Sequence, residues 1–170
     1  MKLSNKNILL ISVIATFALL LFVYSCASLQ IPEPGKNTQS ILIIPTVKVA
    51  GVTRSHFGKF ELYVKGQKDR IMINPVYKYT IVTTLEPGDY EIYKIQPIYN
   101  NPRPQAKPLE VNIKFKILPG HITILSSALY WQMHSRGMYY GMDKFPDDEK
   151  MKLISELRTQ KNFQLWILSS

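Results

Sequence analysis

The chain has 170 residues, 46% of them hydrophobic, with 21 Lys and Arg against 12 Asp and Glu and one cysteine, Cys26. That length fits one domain with a sizeable core, and a single cysteine excludes an internal disulfide. Residues 1–25 hold two lysines and no acid, so the remainder carries +7 of the formal +9. Its positive residues are scattered rather than blocked, which suits a solvated surface and excludes a recognisable nucleic-acid-binding stripe.

Lys2 and Lys6 make a basic head, and Ile8 to Val23 is an apolar run softened only by Ser12 and Thr16. Val23-Tyr24-Ser25-Cys26 closes it, an order that reads as an export signal. The last four residues resemble a bacterial lipobox, which implies cleavage before Cys26, lipid (palmitate among the acyl chains) at that residue, and a new N-terminus there. Ser25-Cys26-Ala27 also fits ordinary cleavage at a small-x-small site. An uncleaved anchor helix is the third reading, although a span wants about 20 apolar residues. All three place the rest of the chain outside the cytoplasm, because Lys2 and Lys6 favour staying inside. Lipid would consume the only thiol, and several acyl chains hold a protein far more firmly than one. Ala27, where an aspartate would retain the protein, resembles the enteric pattern for the outer membrane. The expected address is therefore the cell envelope, lipid-anchored, at the outer membrane.

All prolines and glycines follow residue 25, and Ser28 to Gln39 is polar with two prolines and a glycine. This composition predicts a tether, giving a signal at 1–25, a lipid-anchored tether at 26–39 and a domain at 40–170. Strands are then expected at Ser40 to Val49, Arg70 to Ile73, Tyr77 to Leu85, Tyr90 to Ile98, Ile122 to Leu129 and Phe163 to Leu168. Phe60, Leu62 and Val64 alternate with Glu61, Tyr63 and Lys65, as do Leu109 to Ile117 with Glu110, Asn112, Lys114 and Lys116. Period-two alternation marks antiparallel strands with one wet face. Pro45 predicts an edge or a bulge in the first strand.

Pro87-Gly88 and Pro119-Gly120 each sit between apolar strand ends, which predicts type II turns with both glycines at positive φ. Leu-x-Pro-Gly-x-Tyr at residues 85–90 resembles a turn of transthyretin-like and PEGA-like β-sandwich modules of exported proteins. Phe115 to Leu125 resembles the late hairpin of small bacterial lipoproteins of the same group. The resemblance implies a sandwich fold and leaves function open. Pro146-Asp147-Asp148-Glu149 opens a helix with acids suited to its dipole and free amides, and Met151, Leu153, Ile154 and Leu157 supply its apolar stripe through about Thr159. The expected fold is mainly β: an antiparallel β-sandwich with one C-terminal helix and a final strand.

For chemistry, the chain has no Gly-x-Ser-x-Gly, no phosphate-cradling glycine loop and no His-Glu-x-x-His. Cys26 belongs to the signal, Asp147, Asp148 and Glu149 to a helix start, and His56 and His121 to surface loops. The reading is a non-enzyme without cofactor. Trp131 to Phe145 reads as an irregular loop fastened across a sheet by methionines and aromatics. Its alternative is a Cu(I) site of Met133, His134, Met138 and Met142, since soft thioethers and an imidazole suit that ion. An aromatic ring beside such ligands resembles the periplasmic copper-binding chaperones. Gln96 to Pro108 carries four prolines and reads as a projecting arm. Binding residues concentrate on loops of a rigid scaffold, so Tyr99, Arg103, Trp131, Tyr139 and Tyr140 are candidates for contact with a partner. The expected partners are the membrane, through lipid, and an envelope protein or polymer, but not nucleic acid.

Overall fold

The computed structural model describes residues 30–35, 39–48, 57–99, 107–134 and 137–169. Residues 1–29, with Cys26 and the expected signal, lie outside them, as do His56 and Arg103. The strands are β1 (Ile41–Lys48), β2 (Phe57–Val64), β3 (Ile71–Ile73), β4 (Tyr79–Val82), β5 (Gly88–Tyr99), β6 (Leu109–Ile117), β7 (His121–Ile124), β8 (Ser127–His134) and β9 (Gly137–Lys144). Helix α1 (Asp147–Arg158), a 3-10 turn (Phe163–Leu165) and β10 (Ile167–Ser169) complete the chain.

The alternating segments behave as their period requires. β2, β5 and β6 join β3 in a four-stranded antiparallel sheet of order β3-β2-β5-β6. Its inner positions, Phe60, Leu62, Val64, Ile71, Ile73, Ile92, Ile95 and Ile117, pack against Leu42, Ile44, Val82, Leu125, Leu129 and Trp131 of a second sheet. Each such fully buried aliphatic or aromatic side chain contributes about 1.5–3 kcal/mol of transfer free energy. The expected mainly-β sandwich with a late helix and a final strand is what forms.

The second sheet is mixed. β1 is its centre, with β4 antiparallel on one edge and β7, then β8, parallel along the other; β10 extends β7 and β9 extends β8. Between β7 and β8 the register against β1 shifts at Leu125–Ser126. That shift accommodates Pro45. The Thr46 amide donates to the Lys78 carbonyl on the β4 side (2.7 Å), and the Ile43 carbonyl accepts from Leu125 on the opposite side (2.9 Å). By alternation the Pro45 nitrogen faces the gap between β7 and β8, where no strand asks for its missing N–H. Pro45 is thus in a central strand, not at the edge or bulge expected; the partner breaks instead.

Ile41–Ile44 is buried on every residue because both faces of β1 are covered. Leu42 and Ile44 face the other sheet. Tyr79, opposite Pro45 and on the same face as Ile41 and Ile43, accepts a hydrogen bond from Gln160 Nε2 (2.7 Å). The C-terminal segment covers this second face with Leu153, Ile154, Leu157, Phe163 and Trp166. Met151, expected in the helix stripe, is instead exposed. No side chain caps the helix, and the acids of its first turn pair with Lys144 and Lys152 rather than with the free amides. The first half of the expected last strand is the 3-10 turn, leaving only three residues for β10.

Two further expectations change. Ile31 and Pro32, placed in the tether, belong to the folded unit, which begins at Ile31. The Ile31 amide donates to Gln160 Oε1, its carbonyl accepts from Asn162 Nδ2, and the Pro32 carbonyl accepts from Trp166 Nε1, each at 2.9 Å. Gly120 has φ +74° in a turn closed by His121 N–H to Leu118 O, as predicted, and Gly66 (φ +76°) does the same after β2. Gly88 does not; it is the first, extended residue of β5, opposite Ile117. Gly120→Ala should therefore cost about 1–2 kcal/mol, while Gly88→Ala, whose new methyl would meet the Tyr90 ring at 3.6 Å, should stay within about 0.5 kcal/mol of the parent. Equal melting of the two variants in denaturant titrations would contradict these assignments.

Burial gives Tyr79 a further signature. It holds the phenol above its ordinary value of 10.0, with the Gln160 bond opposing and Glu156 adding to the rise. A folded pKa above the unfolded one means that the contribution is complete below pH 10 and is lost as pH rises through the folded value. Unfolding free energy should fall above about pH 10, with a shallower slope in Tyr79→Phe; identical slopes in the two proteins would show that Tyr79 does not report the packing of this face.

Candidate functional site

Outward-facing positions of the four-stranded sheet carry a set of half-buried to exposed polar and aromatic side chains. Along β2 these are Lys59, Glu61 and Tyr63; across them stand Met72 on β3, Lys94 and Gln96 on β5, and Glu110 on β6. A bulge in β5 between Ile92 and Lys94 adds Tyr93 to the same side. Met72 and Tyr93 are large apolar side chains left exposed at solvent positions.

Tyr63 is the hub. Its hydroxyl donates to Glu61 Oε2 (2.9 Å), and Arg70 Nη1 reaches both oxygens of the same carboxylate at 3.0 and 2.9 Å. Lys94 Nζ stands 3.6 Å and Arg70 Cζ 4.9 Å from the Tyr63 ring centre. Tyr93 meets Tyr63 edge-on with ring centres 6.1 Å apart. The bond to Glu61 is the main reason that the Tyr63 phenol sits above its ordinary value, with desolvation and the Glu61 charge adding and Arg70 opposing. At neutral pH Tyr63 is thus a neutral donor and Glu61 an acceptor already engaged twice. Arg70 is exposed while the Glu61 side chain is mostly covered; surface ion pairs of this kind contribute little to stability because water screens them.

The face continues into an open groove of about 720 Å³ lined by Lys65, Gly66, Asp89, Tyr90, Glu91, Lys114, Phe115 and Lys116. Register sets Asp89 opposite Lys116 and Glu91 opposite Lys114, with Lys65 Nζ 3.8 Å from Glu91. Tyr90 and Phe115 stack at 5.5 Å beneath the core-facing side of the same strands. Cations outnumber acids over the face. Such an array offers fixed N–H and ammonium donors beside flat rings, which suits a partner with acidic groups and apolar surface.

The residues singled out in the sequence separate. Trp131 to Phe145, read as a loop, is mostly the β8–β9 hairpin. Trp131 is only 4% exposed and belongs to the core; Tyr140, its cross-strand partner, packs on Phe60 (5.6 Å) and donates to the Lys107 carbonyl. Their shared strand register turns both side chains toward the core, Trp131 fully and Tyr140 in part. Tyr139 is 60% exposed and remains a surface residue. Tyr99 ends β5 opposite Phe57. Register sets Met133 opposite Met138 and His134 opposite Gly137, but Met142 opposite Leu129. Along β9, Met138 and Met142 lie four strand residues, about 14 Å, apart. Among the described residues no group of three or more His, Cys, Asp or Glu is placed to hold a metal ion, and no helix is long and apolar enough to cross a membrane.

Tyr63 and Met72 could have been found earlier: each is a large, apolar-bodied residue at the solvent parity of an alternating strand. Tyr93 and Lys94 could not, because the bulge that brings them to this side leaves no local sequence mark. No family model matches the chain, and comparison with curated proteins and with solved structures finds no match.

Proposed function

We propose that this chain is a lipid-anchored protein of the cell envelope, exported through its N-terminal segment and held at Cys26, and that it acts as a non-catalytic interaction module. Its binding surface is the outer face of the β3-β2-β5-β6 sheet. The observation that carries this reading is the Tyr63 cluster: half-buried Tyr63 and exposed Tyr93 held with Lys94 and Arg70 in one array on the outer face of the sheet. The chemistry favours recognition over turnover, since Tyr63 stays protonated and Glu61 is occupied by two donors. The excess of positive charge beyond residue 25 suits an envelope protein or polymer bearing acidic groups.

Co-purification from native membranes tests it. A Tyr63→Ala/Arg70→Ala/Tyr93→Ala variant should fold like the parent and lose the bound partner, whereas Tyr139→Ala should keep it. Retention by the triple variant with loss in Tyr139→Ala would move the surface to the β8–β9 hairpin. Fatty-acid labelling should disappear in Cys26→Ala; a mature protein that begins at Ser28 without lipid would refute the anchor.

A further inference from the structure

The anchor and the clamp on Ile31 together select which end of the domain meets the membrane. Ile31 is buried, and both its backbone polar groups are held by Gln160 and Asn162. Five peptide steps separate it from Cys26. At ~3.3–3.6 Å per residue these reach about 17 Å when fully extended. A domain of this size has a radius of gyration of about 14 Å, hence a diameter of nearly 40 Å. The link is shorter than the domain is wide, so the far end, with β9 or the Tyr63 face, has no equal access to the bilayer.

Resting on the anchored reading above, we propose that the Ile31–Trp166 end lies on the lipid surface, with Leu165 and Ile167 entering the interface. Trp166 is extended (φ −117°, ψ 150°) and turns its indole inward to the Pro32 carbonyl. Its neighbours therefore point the other way, and they are 59% and 61% exposed. These two large aliphatic side chains project beside the point where the chain enters the fold, and the bilayer is the surface that the link brings there. Lys161, exposed one residue before Asn162, places a cation at headgroup level, and exposed Glu33 offsets it. The contact is thus mainly apolar and only weakly dependent on anionic lipid.

The lipid at Cys26 leaves no thiol in the mature chain, so one introduced cysteine is a unique label site. Full-length lipidated protein carrying Leu165→Cys, Ile167→Cys, Met72→Cys or Tyr139→Cys would be labelled with an environment-sensitive fluorophore and placed in phosphatidylethanolamine/phosphatidylglycerol vesicles. Labels at 165 and 167 should be quenched by brominated acyl chains, and should be several-fold less accessible to iodide than those at 72 and 139. Equal iodide access at all four positions would overturn the proposal, as would protection at 72 or 139 instead. Protection at 165 and 167 without quenching by brominated lipid would mean that a second copy or another protein covers them, and would overturn it too. Intact mass measured before labelling separates the two claims: no lipid on Cys26 refutes the anchor, whereas lipid present with an exposed 165–167 segment refutes only the orientation.

Discussion

Phe60→Ala should lower the unfolding free energy by about 3–5 kcal/mol, among the largest losses expected from one substitution in this chain. Phe60 is fully buried in β2, opposite Ile73 and Pro97, and its ring lies 5.6 Å from that of Tyr140 on the other sheet. It joins the two layers, and truncation opens a cavity between sheets that rigid strands fill poorly. Against a total stability of about 5–15 kcal/mol the variant would be marginal. Phe60→Leu keeps most of the volume and should cost less than about 1.5–2 kcal/mol. Urea titrations of the pair check this. Similar midpoints for Ala and Leu would mean that Phe60 does not bridge the sheets.

Trp166→Ala should cost about 3–5 kcal/mol as well, with a second consequence that a mere core truncation would lack. Trp166 is buried, and its indole N–H holds the Pro32 carbonyl. Trp166→Phe keeps much of the packing and leaves that carbonyl without its donor, for about 1–2 kcal/mol. Both variants should become susceptible to proteolytic cutting around residues 30–35 at denaturant concentrations where the sheets remain folded. Cutting there only as part of global unfolding would contradict the clamp.

Local pattern in the sequence reveals one kind of element well. β2 and β6 have one wet face, so their side chains alternate and their strands are legible. β1 is covered on both faces, and its Ile-Leu-Ile-Ile run marks burial without revealing that its neighbours on one edge are parallel. The β8–β9 hairpin hides for another reason: Gly137 and Gly141 interrupt the period, and Tyr130 packs over Gly141, where an added Cβ would lie 2.5 Å from its hydroxyl. The bonds from Gln160, Asn162 and Trp166 to Ile31 and Pro32 join residues 129 to 134 positions apart, a separation that composition cannot encode; Pro-rich polarity there reads as a tether. Likewise Pro87-Gly88 has the residues of a turn, but β5 begins early enough to hold Gly88 extended. The candidate face was half legible, through Tyr63 and Met72 at wet positions, and its completion by Tyr93 and Lys94 depends on a bulge.

The central claim is that an exposed sheet face, rather than a loop, meets an envelope partner. Its most direct test is photo-crosslinking in intact cells with a benzophenone side chain placed singly at Met72, Tyr93 or Lys59, and at Tyr139 as a control. The account predicts a discrete adduct from the three positions on the β3-β2-β5 face, abolished when Arg70→Ala and Lys94→Ala are combined with the probe, and none from Tyr139. An adduct from Tyr139 with none from Met72, Tyr93 or Lys59 would contradict it.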